Sequence, residues 1–279
     1  MNRLSPQDAT LASSARPPHA PRVVGMVNWR GLWTLYIKEV RRFLKVFTQT
    51  LVAPIITSMI FLAIFTLALG GAGRGVAGIP FIEFLAPGLA MMVIVQNSFA
   101  NTSSSMMISK MQGNIVDVLL PPLSPGELTF GYVMASTTRG VAVAIVTMSA
   151  MALVVPVRIV APFAIVYFGV MASMLLSLLG LIGAIWAEKY DHIAAVTNFV
   201  IMPLSFLSGT FYSIERLPGI WNQVAHLNPF FFMIDGFRSG FIVHSDSPIW
   251  LGVIVLAVLN IGLWTLCTWM FRSGYKLKA

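Results

Sequence analysis

The feature that most constrains this chain is a series of six apolar runs, each long enough to cross a lipid bilayer as a helix. They lie at about residues 50–70, 84–107, 130–155, 161–186, 194–213 and 248–271. A helix needs about 20 apolar residues to cross roughly 30 Å of hydrocarbon. Only 10% of the 279 residues are charged and the mean hydropathy is +0.82. We therefore predict an all-α integral membrane protein in which residues 48–279 form a domain of six transmembrane helices.

The basic residues between the apolar runs predict the orientation of the chain. With both termini cytoplasmic, 13 of the 18 Lys and Arg residues lie in inner segments and 4 in outer ones. The outer four are Arg74, Arg158, Arg216 and Arg238. Because inner loops of membrane proteins are enriched in Lys and Arg, this bias predicts cytoplasmic termini. Arg139 lies inside the third run, and we interpret it first as an anchor whose long stem reaches the cytoplasmic interface.

The segment before the first run divides into two parts. Residues 1–27 are rich in Pro, Ala and Ser and lack the apolar core of a signal peptide, so we predict a disordered cytoplasmic tail. Residues 28–47 have the period of an amphipathic helix lying in the membrane interface. Its apolar face consists of Trp29, Trp33, Tyr36, Val40, Leu44 and Phe47, and its basic face of Lys38, Arg41, Arg42 and Lys45. The basic face is either a topology anchor or a contact for a cytosolic subunit.

The inner loop between the second and third runs contains a second short helix candidate. Residues Gln112 to Leu120 precede Pro121 and Pro122, which end helices. Its predicted apolar face consists of Ile115, Val116, Leu119 and Leu120. A solvated connector does not need such a face, so we expect either a neighbouring helix end or a partner protein to cover it.

The stretch from Pro203 to Phe241 stays apolar without maintaining a helical run. Gly209, Pro218, Gly219 and Pro229 interrupt it at intervals too short for a bilayer-crossing helix. Such backbone is tolerated at membrane depth only where protein or a water-filled cavity surrounds it. The pattern indicates broken helices that enter the membrane and turn back.

Two of the runs carry many polar side chains. Unpaired polar groups in hydrocarbon cost several kcal/mol, so these runs are expected to face protein or a passage. The residues concerned include Gln96, Asn97 and Asn101 in the second run and Asn198 and Ser205 in the fifth. Helix packing through small polar residues and the lining of a pathway are both consistent with this pattern.

The sequence lacks the motifs of several chemistries. No Gly-Lys pair occurs, so there is no phosphate-binding loop, and any ATP must be bound by another polypeptide. The four histidines are scattered, the one cysteine (Cys267) lies in an apolar run, and the basic residues form no nucleic-acid patch. A membrane-embedded enzyme would have to use Asp191 with His192, or Asp235 with His226. A channel or secondary transporter acting alone is the other alternative.

Several of these features together resemble the type-2 ABC exporter permeases. They are the interfacial helix, the six runs, the Pro-terminated helix in the first inner loop, and three short motifs. The motifs are Ser-Gly-x-Phe-Tyr at 208–212, His-Leu-Asn-Pro at 226–229 and Asp-Gly-Phe-Arg at 235–238. The resemblance covers about residues 28–279. Within the family, the chain is similar above all to bacterial inner-membrane permeases of the drug and nodulation lipo-oligosaccharide exporter group.

The resemblance implies a transport subunit of the bacterial inner membrane rather than an enzyme. Two permease copies would form the pathway, and a dimer of cytosolic ABC ATPase chains would bind the ATP and magnesium. The ATPase would contact Lys38, Arg41, Arg42, Gln112, Ile115, Val116, Asp117, Leu119 and Leu120. Gln96, Asn97, Asn101, Asn198 and Ser205 would line the pathway. A re-entrant helical hairpin between spans five and six would include Gly209, Phe211, Tyr212, Asn228, Pro229, Asp235 and Arg238. The substrate would be an amphipathic, drug-like or lipid-linked molecule leaving the cytoplasm.

Overall fold

The fold was analysed in a computed structural model, which describes residues 25–69, 78–214 and 219–277. Most of the predicted tail (1–27), together with Arg74, Arg216 and Pro218, lies outside these ranges. The described residues are mainly helical. The helices are α1 (Trp29–Leu44), α2 (Ala53–Leu69), α3 (Phe81–Met111), α4 (Ile115–Leu119), α5 (Pro125–Met151), α6 (Pro162–Trp186), α7 (Tyr190–Val196), α8 (Met202–Leu207), α9 (Ile220–Leu227), α10 (Pro229–Arg238) and α11 (Ile249–Ser273).

Five of these helical stretches are long and apolar enough to cross a membrane. They are α2 with the π-helical turn Thr48–Val52 before it, α3, α5, α6 and α11. The expected helical, multi-span architecture is therefore confirmed, with five candidate spans among the described residues.

The segment predicted as the fifth span, 194–213, is built differently. It consists of α7, a π-helical turn at Thr197–Ile201, and α8. Pro203 is the second residue of α8, which follows directly on the π-helical turn, so the chain continues with helical backbone. The helical stretch ends at Leu207 rather than at 213, because Gly209 has a left-handed backbone with φ of 75°.

The ends of two long helices follow from local sequence signals. Ser124 caps the start of α5, and its N–H donates a hydrogen bond to the carboxylate of Glu127, with Pro125 at the first helical position. Gly274 ends α11 in a left-handed conformation with φ of 68°. Both signals fix helix boundaries that hydropathy alone leaves uncertain by several residues.

The central element of the bundle is α3. In its most apolar window 78% of residues are buried, against 11% for the first candidate span and 17% for α11. The hydroxyls of Ser98 on α3 and Ser173 on α6 are 2.6 Å apart, and Thr102 donates to the Ser177 carbonyl at 2.8 Å. The polar residues of α3 therefore pack against neighbouring helices, while the first and last spans leave most of their apolar surface uncovered.

The first helix, α1, packs against α5. The Asn28 N–H donates to Glu127 Oε1 at 2.6 Å, and the hydroxyls of Tyr36 and Thr138 are 2.9 Å apart. The side chains of α1 that pack against protein are Leu32, Leu35, Glu39 and Phe43. The predicted apolar face is different: Trp29, Trp33, Leu44 and Phe47 are exposed. Hydropathy does not distinguish a face that packs on protein from one available to lipid, so the protein-facing side was not predicted.

Candidate functional site

The helix α4 presents a small apolar patch to solvent, which we call the α4 patch. It consists of Val116, Leu119 and Leu120. Ile115 is turned the other way and is buried in the main core with Val118. The four predicted residues therefore do not share one face, because in a five-residue helix the first and fourth positions, Ile115 and Val118, lie together on the core side.

A cavity of about 610 Å³ separates α1 from α4 and the end of α3. Its wall includes Lys38, Glu39, Arg42, Gln112 and Asp117. Lys38, Gln112 and Asp117 are exposed, as is Arg41, which is not part of the wall. Four of the predicted ATPase contacts thus border one cavity.

Arg42 is turned toward the interior of the bundle. Its Nη2 donates to the carbonyl oxygen of Asn101 at 2.8 Å and to Asn101 Oδ1 at 2.9 Å. Its Nε is 3.0 Å from Glu39 Oε2, and the Glu39 side chain is buried. Sequence reasoning placed Arg42 on an outward basic face. The amphipathic pattern gave no signal for Glu39 as a buried partner, because acidic residues in such helices normally face solvent.

The predicted pathway residues fall into two groups. Asn97 and Asn101 are buried on α3 and both accept hydrogen bonds from Arg139 on α5, at 3.0 and 3.2 Å. Gln96 beside them is half-buried. Asn198 is exposed on the π-helical turn, and Ser205 is buried and donates to the Ile201 carbonyl at 2.7 Å. Within the described residues, no hydrogen bond joins Asn198 or Ser205 to the α3 group.

The sequence favours an anchor at the cytoplasmic interface as the first interpretation of Arg139, and the structure shows which groups its guanidinium contacts. Its guanidinium lies between α5 and α3, held by two amide oxygens. The expectation was based on the depth of Arg139 in its span alone. The two asparagines one helical turn apart on α3 supply acceptors that a hydropathy profile does not reveal.

The interrupted segment after α8 is held by the motif residues that the sequence singled out. The Nδ2 of Asn228 donates to the Leu204 carbonyl at 2.9 Å and to the Ser208 hydroxyl at 2.8 Å. Arg238 Nη2 donates to the Gly209 carbonyl at 2.7 Å, with its guanidinium 3.7 Å from the ring centre of Phe84. The motif residues at 208–209, 228 and 238 thus form one connected cluster.

Two carboxylates complete this cluster. Asp235 accepts hydrogen bonds from the N–H groups of Asp246 and Ser247 and from the hydroxyls of Ser245 and Ser247, at 2.8 to 3.1 Å. Asp246 in turn accepts from the Ser213 hydroxyl and the Ile214 N–H. Asp246 was not predicted, and the sequence offers no signal for it, since it lies in a polar loop and outside every motif.

The remaining motif residues pack locally. The ring of Phe211 stacks on Phe65 of α2 with 4.4 Å between ring centres, and the Tyr212 hydroxyl donates to the Leu207 carbonyl at 3.2 Å. Pro229 is the first residue of α10, and residues 230–238 of that helix are all buried. The α10 helix therefore lies inside the bundle beside the starts of α3 and α6.

The residues considered for a membrane-embedded enzyme have other contacts in the structure. The His226 ring nitrogen lies 2.8 Å from the Asn222 carbonyl oxygen, and the carboxylate of Asp235 is occupied by its loop. Asp191 is exposed, and His192 packs on Trp186. Among the described residues, no group of three His, Cys, Asp or Glu side chains is placed to hold a metal ion.

Comparisons with known proteins cover most of the chain. The family model described as "ABC-2 type transporter" matches residues 30–242, from α1 through α10. The Inner membrane transport permease YadH of Escherichia coli (strain K12) is 34% identical over 251 residues, which are 90% of this chain and 98% of that protein. Nodulation protein J of Neorhizobium galegae is 24% identical over 245 residues, 84% of this chain and 90% of that protein. The Daunorubicin resistance ABC transporter permease protein DrrB1 of Streptomyces coeruleorubidus is 24% identical over 261 residues, 89% of this chain and 85% of that protein.

Proposed function

The chain belongs to the ABC-2 type transporter family as a multi-pass membrane permease, and from this premise we propose that it is the membrane subunit of an exporter. It moves an amphipathic, drug-like or lipid-linked substrate out of the cytoplasm. The name of one relative, a daunorubicin resistance permease, supports a drug-like substrate. The polar residues of α3 beside long apolar helices also suit an amphipathic molecule.

The observation that carries this proposal is the α4 patch. Three apolar side chains are exposed on a five-residue helix whose other face is buried in the core. An apolar surface next to polar and charged residues marks a protein contact. Since the sequence has no Gly-Lys pair, the partner that binds ATP and magnesium is a separate ATPase chain, and α4 receives it.

The proposal includes an arrangement in the membrane. The stretch 190–207 is the fifth of six spans, residues 211–241 form a re-entrant hairpin at the outer face before the sixth, and both termini are cytoplasmic. The excess of basic residues at the end with α1 and α4 supports this orientation. A second copy of the permease completes the pathway. The exposed apolar side chains of the first span and of Phe199 support such a contact.

Replacing Leu119 and Leu120 by Asp tests the proposed partner. Ile115 is left unchanged because it is buried, and its replacement would disturb the core. We expect the purified permease to lose about tenfold or more of its associated ATPase activity, since apolar contacts at the centre of an interface carry most of its binding energy.

The control is Leu153→Asp with Val154→Asp, which places two aspartates on neighbouring exposed apolar residues after α5. The permease should remain in the membrane in all variants. Unchanged ATPase activity and transport in the variant at Leu119 and Leu120 would show that α4 is only a connector.

A further inference from the structure

Arg139 is an arginine inside the candidate span α5. Its Nη1 and Nη2 donate to the amide oxygens of Asn101 and Asn97, and its buried Nε has no hydrogen-bond partner among the described residues. Within residues 25–69, 78–214 and 219–277, no Asp or Glu oxygen lies within 4.0 Å of it. Ionised side chains at this depth normally pair with an opposite charge or serve a ligand.

A second guanidinium uses the same acceptor. Arg42 donates to Asn101 Oδ1 at 2.9 Å, and Arg139 donates to it at 3.2 Å. The amide oxygen is neutral, so it satisfies hydrogen bonds but compensates neither charge. Two cations that share one neutral acceptor repel each other.

The charges of this cluster do not balance. Glu39 neutralises Arg42, from which it is 3.0 Å away, and no second carboxylate in the described part of the chain compensates the charge of Arg139. Glu39 Oε1 is buried and has no hydrogen-bond partner there. Removing a charge from water without pairing it is costly, so one excess positive charge favours the binding of an anion.

The cavity beside α4 gives access to the cluster. Arg42 is part of its wall and 30% of its side chain is exposed. The wall itself holds two basic residues, Lys38 and Arg42, and two acidic residues, Glu39 and Asp117. Arg139 is not part of the wall but shares the acceptor Asn101 Oδ1 with Arg42. It gives the cavity and the cluster together one excess positive charge. The volume of about 610 Å³ is in the range of small-molecule sites, roughly 300 to 1,000 Å³.

We propose that the cluster of Arg42, Asn101 and Arg139 binds the acidic group of an amphiphile that enters through this cavity. The acidic group is a phosphate, sulfate or carboxylate, which guanidinium groups bind through paired hydrogen bonds. It takes the place of Asn101 Oδ1 between the two arginines. The statement that this amphiphile is the transported substrate rests on the proposed export function. The statement that the cluster binds an acidic amphiphile does not depend on it.

The variant Asn101→Asp tests the site by giving the cluster its own carboxylate. The side chains have nearly the same size, so the two guanidinium groups keep their acceptor. We expect the purified variant to unfold at a higher temperature than the natural protein when no ligand is present. We also expect dodecyl phosphate to raise the unfolding temperature of the natural protein by several degrees and to leave that of the variant unchanged.

Two controls separate charge at this site from charge elsewhere. Asn260→Asp makes the same change on α11, where the amide donates to the carbonyls of Met171 and Leu256. This variant should be less stable and still respond to dodecyl phosphate. Arg139→Gln should not respond, and it serves as the second test if Asn101→Asp does not fold.

The probes distinguish the possible sources of the acidic group. If inorganic phosphate shifts the unfolding temperature as much as dodecyl phosphate does, the proposal that the ligand is an amphiphile is wrong. If uncharged dodecyl maltoside gives an equal shift, the proposal that the ligand must carry an acidic group is wrong. Equal responses of the natural protein, Asn101→Asp and Arg139→Gln to dodecyl phosphate would overturn the site. These results are independent of ATPase association, so a failure of the site leaves the exporter proposal standing, and a failure of ATPase association leaves the site standing.

Discussion

At the scale of single residues, glycines set how closely the central helices approach. A Cβ on Gly140 of α5 would overlap the Ser98 hydroxyl and lie 2.6 Å from that of Ser173. A Cβ on Gly180 of α6 would lie 2.5 Å from the Phe99 carbonyl oxygen. Small residues at such crossings allow helices to pack closely in a membrane, where water does not drive them together.

Gly140→Ala should therefore destabilise the permease by about 1–3 kcal/mol, the usual cost of overpacking a close contact. It should also break the hydrogen bond between Ser98 and Ser173. The measurement is the thermal unfolding of the purified protein in detergent. Gly262→Ala on α11 is the matched control, because nothing lies within 4 Å of its Cβ position. Equal stability of the two variants would contradict the close packing at Gly140.

At the scale of elements, Asp235 connects α10 to the loop that precedes α11. Its carboxylate accepts four hydrogen bonds from residues 245–247. Asp246 in that loop holds residues 213–214 after the interrupted segment. Two carboxylates thus fix three stretches of chain that have no regular hydrogen-bond ladder between them.

Asp235→Ala should lower the free energy of unfolding by about 3 kcal/mol or more, because hydrogen bonds to a charged group contribute about 1.5–3 kcal/mol each and several donors lose their acceptor. Thermal unfolding in detergent is again the measurement. Asp117→Ala on α4 should change the midpoint little, since Asp117 is exposed. A small effect of both substitutions would show that the loop is held in another way.

The positions of most helices could be predicted from the sequence, since long apolar runs and the Pro, Ser and Gly signals at helix ends act locally. The start of α5 and the interruption at Gly209 are examples. The protein-facing side of α1 could not be predicted, because Leu32 and Leu35 lie next to equally apolar residues that remain exposed. Asn228 and Arg238 were found as motif residues, and Asn228 does contact a second motif side chain, the Ser208 hydroxyl. Their other partners are the backbone carbonyls of Leu204 and Gly209, which no side-chain pattern identifies.

At the scale of the whole molecule, the proposed orientation can be tested by labelling single cysteines. The background is Cys267→Ala, since that thiol is buried. With six spans and cytoplasmic termini, Leu153→Cys and Val243→Cys should react with an impermeant maleimide on intact cells. Leu120→Cys and Tyr275→Cys should react only after the membrane is opened. All four side chains are exposed.

The labelling pattern also counts the spans. If residues 190–207 did not cross, Val243→Cys would be protected while Leu153→Cys reacted, and Tyr275→Cys would be labelled from outside. The prediction of six spans depends on this stretch, whose helical length is divided by a π-helical turn. The hydropathy profile identified the segment as apolar but did not predict the π-helical turn within it.

One lysine at the end of α3 has a mechanical consequence. Lys110 Nζ donates to the carbonyls of Ala184, Ile185 and Ala187 at 2.6 to 3.1 Å and so fastens the end of α3 to the end of the parallel helix α6. The α4 helix begins five residues later. We therefore expect a push on α4 to reach both helices at once, so that α3 and α6 would move together as one rigid pair.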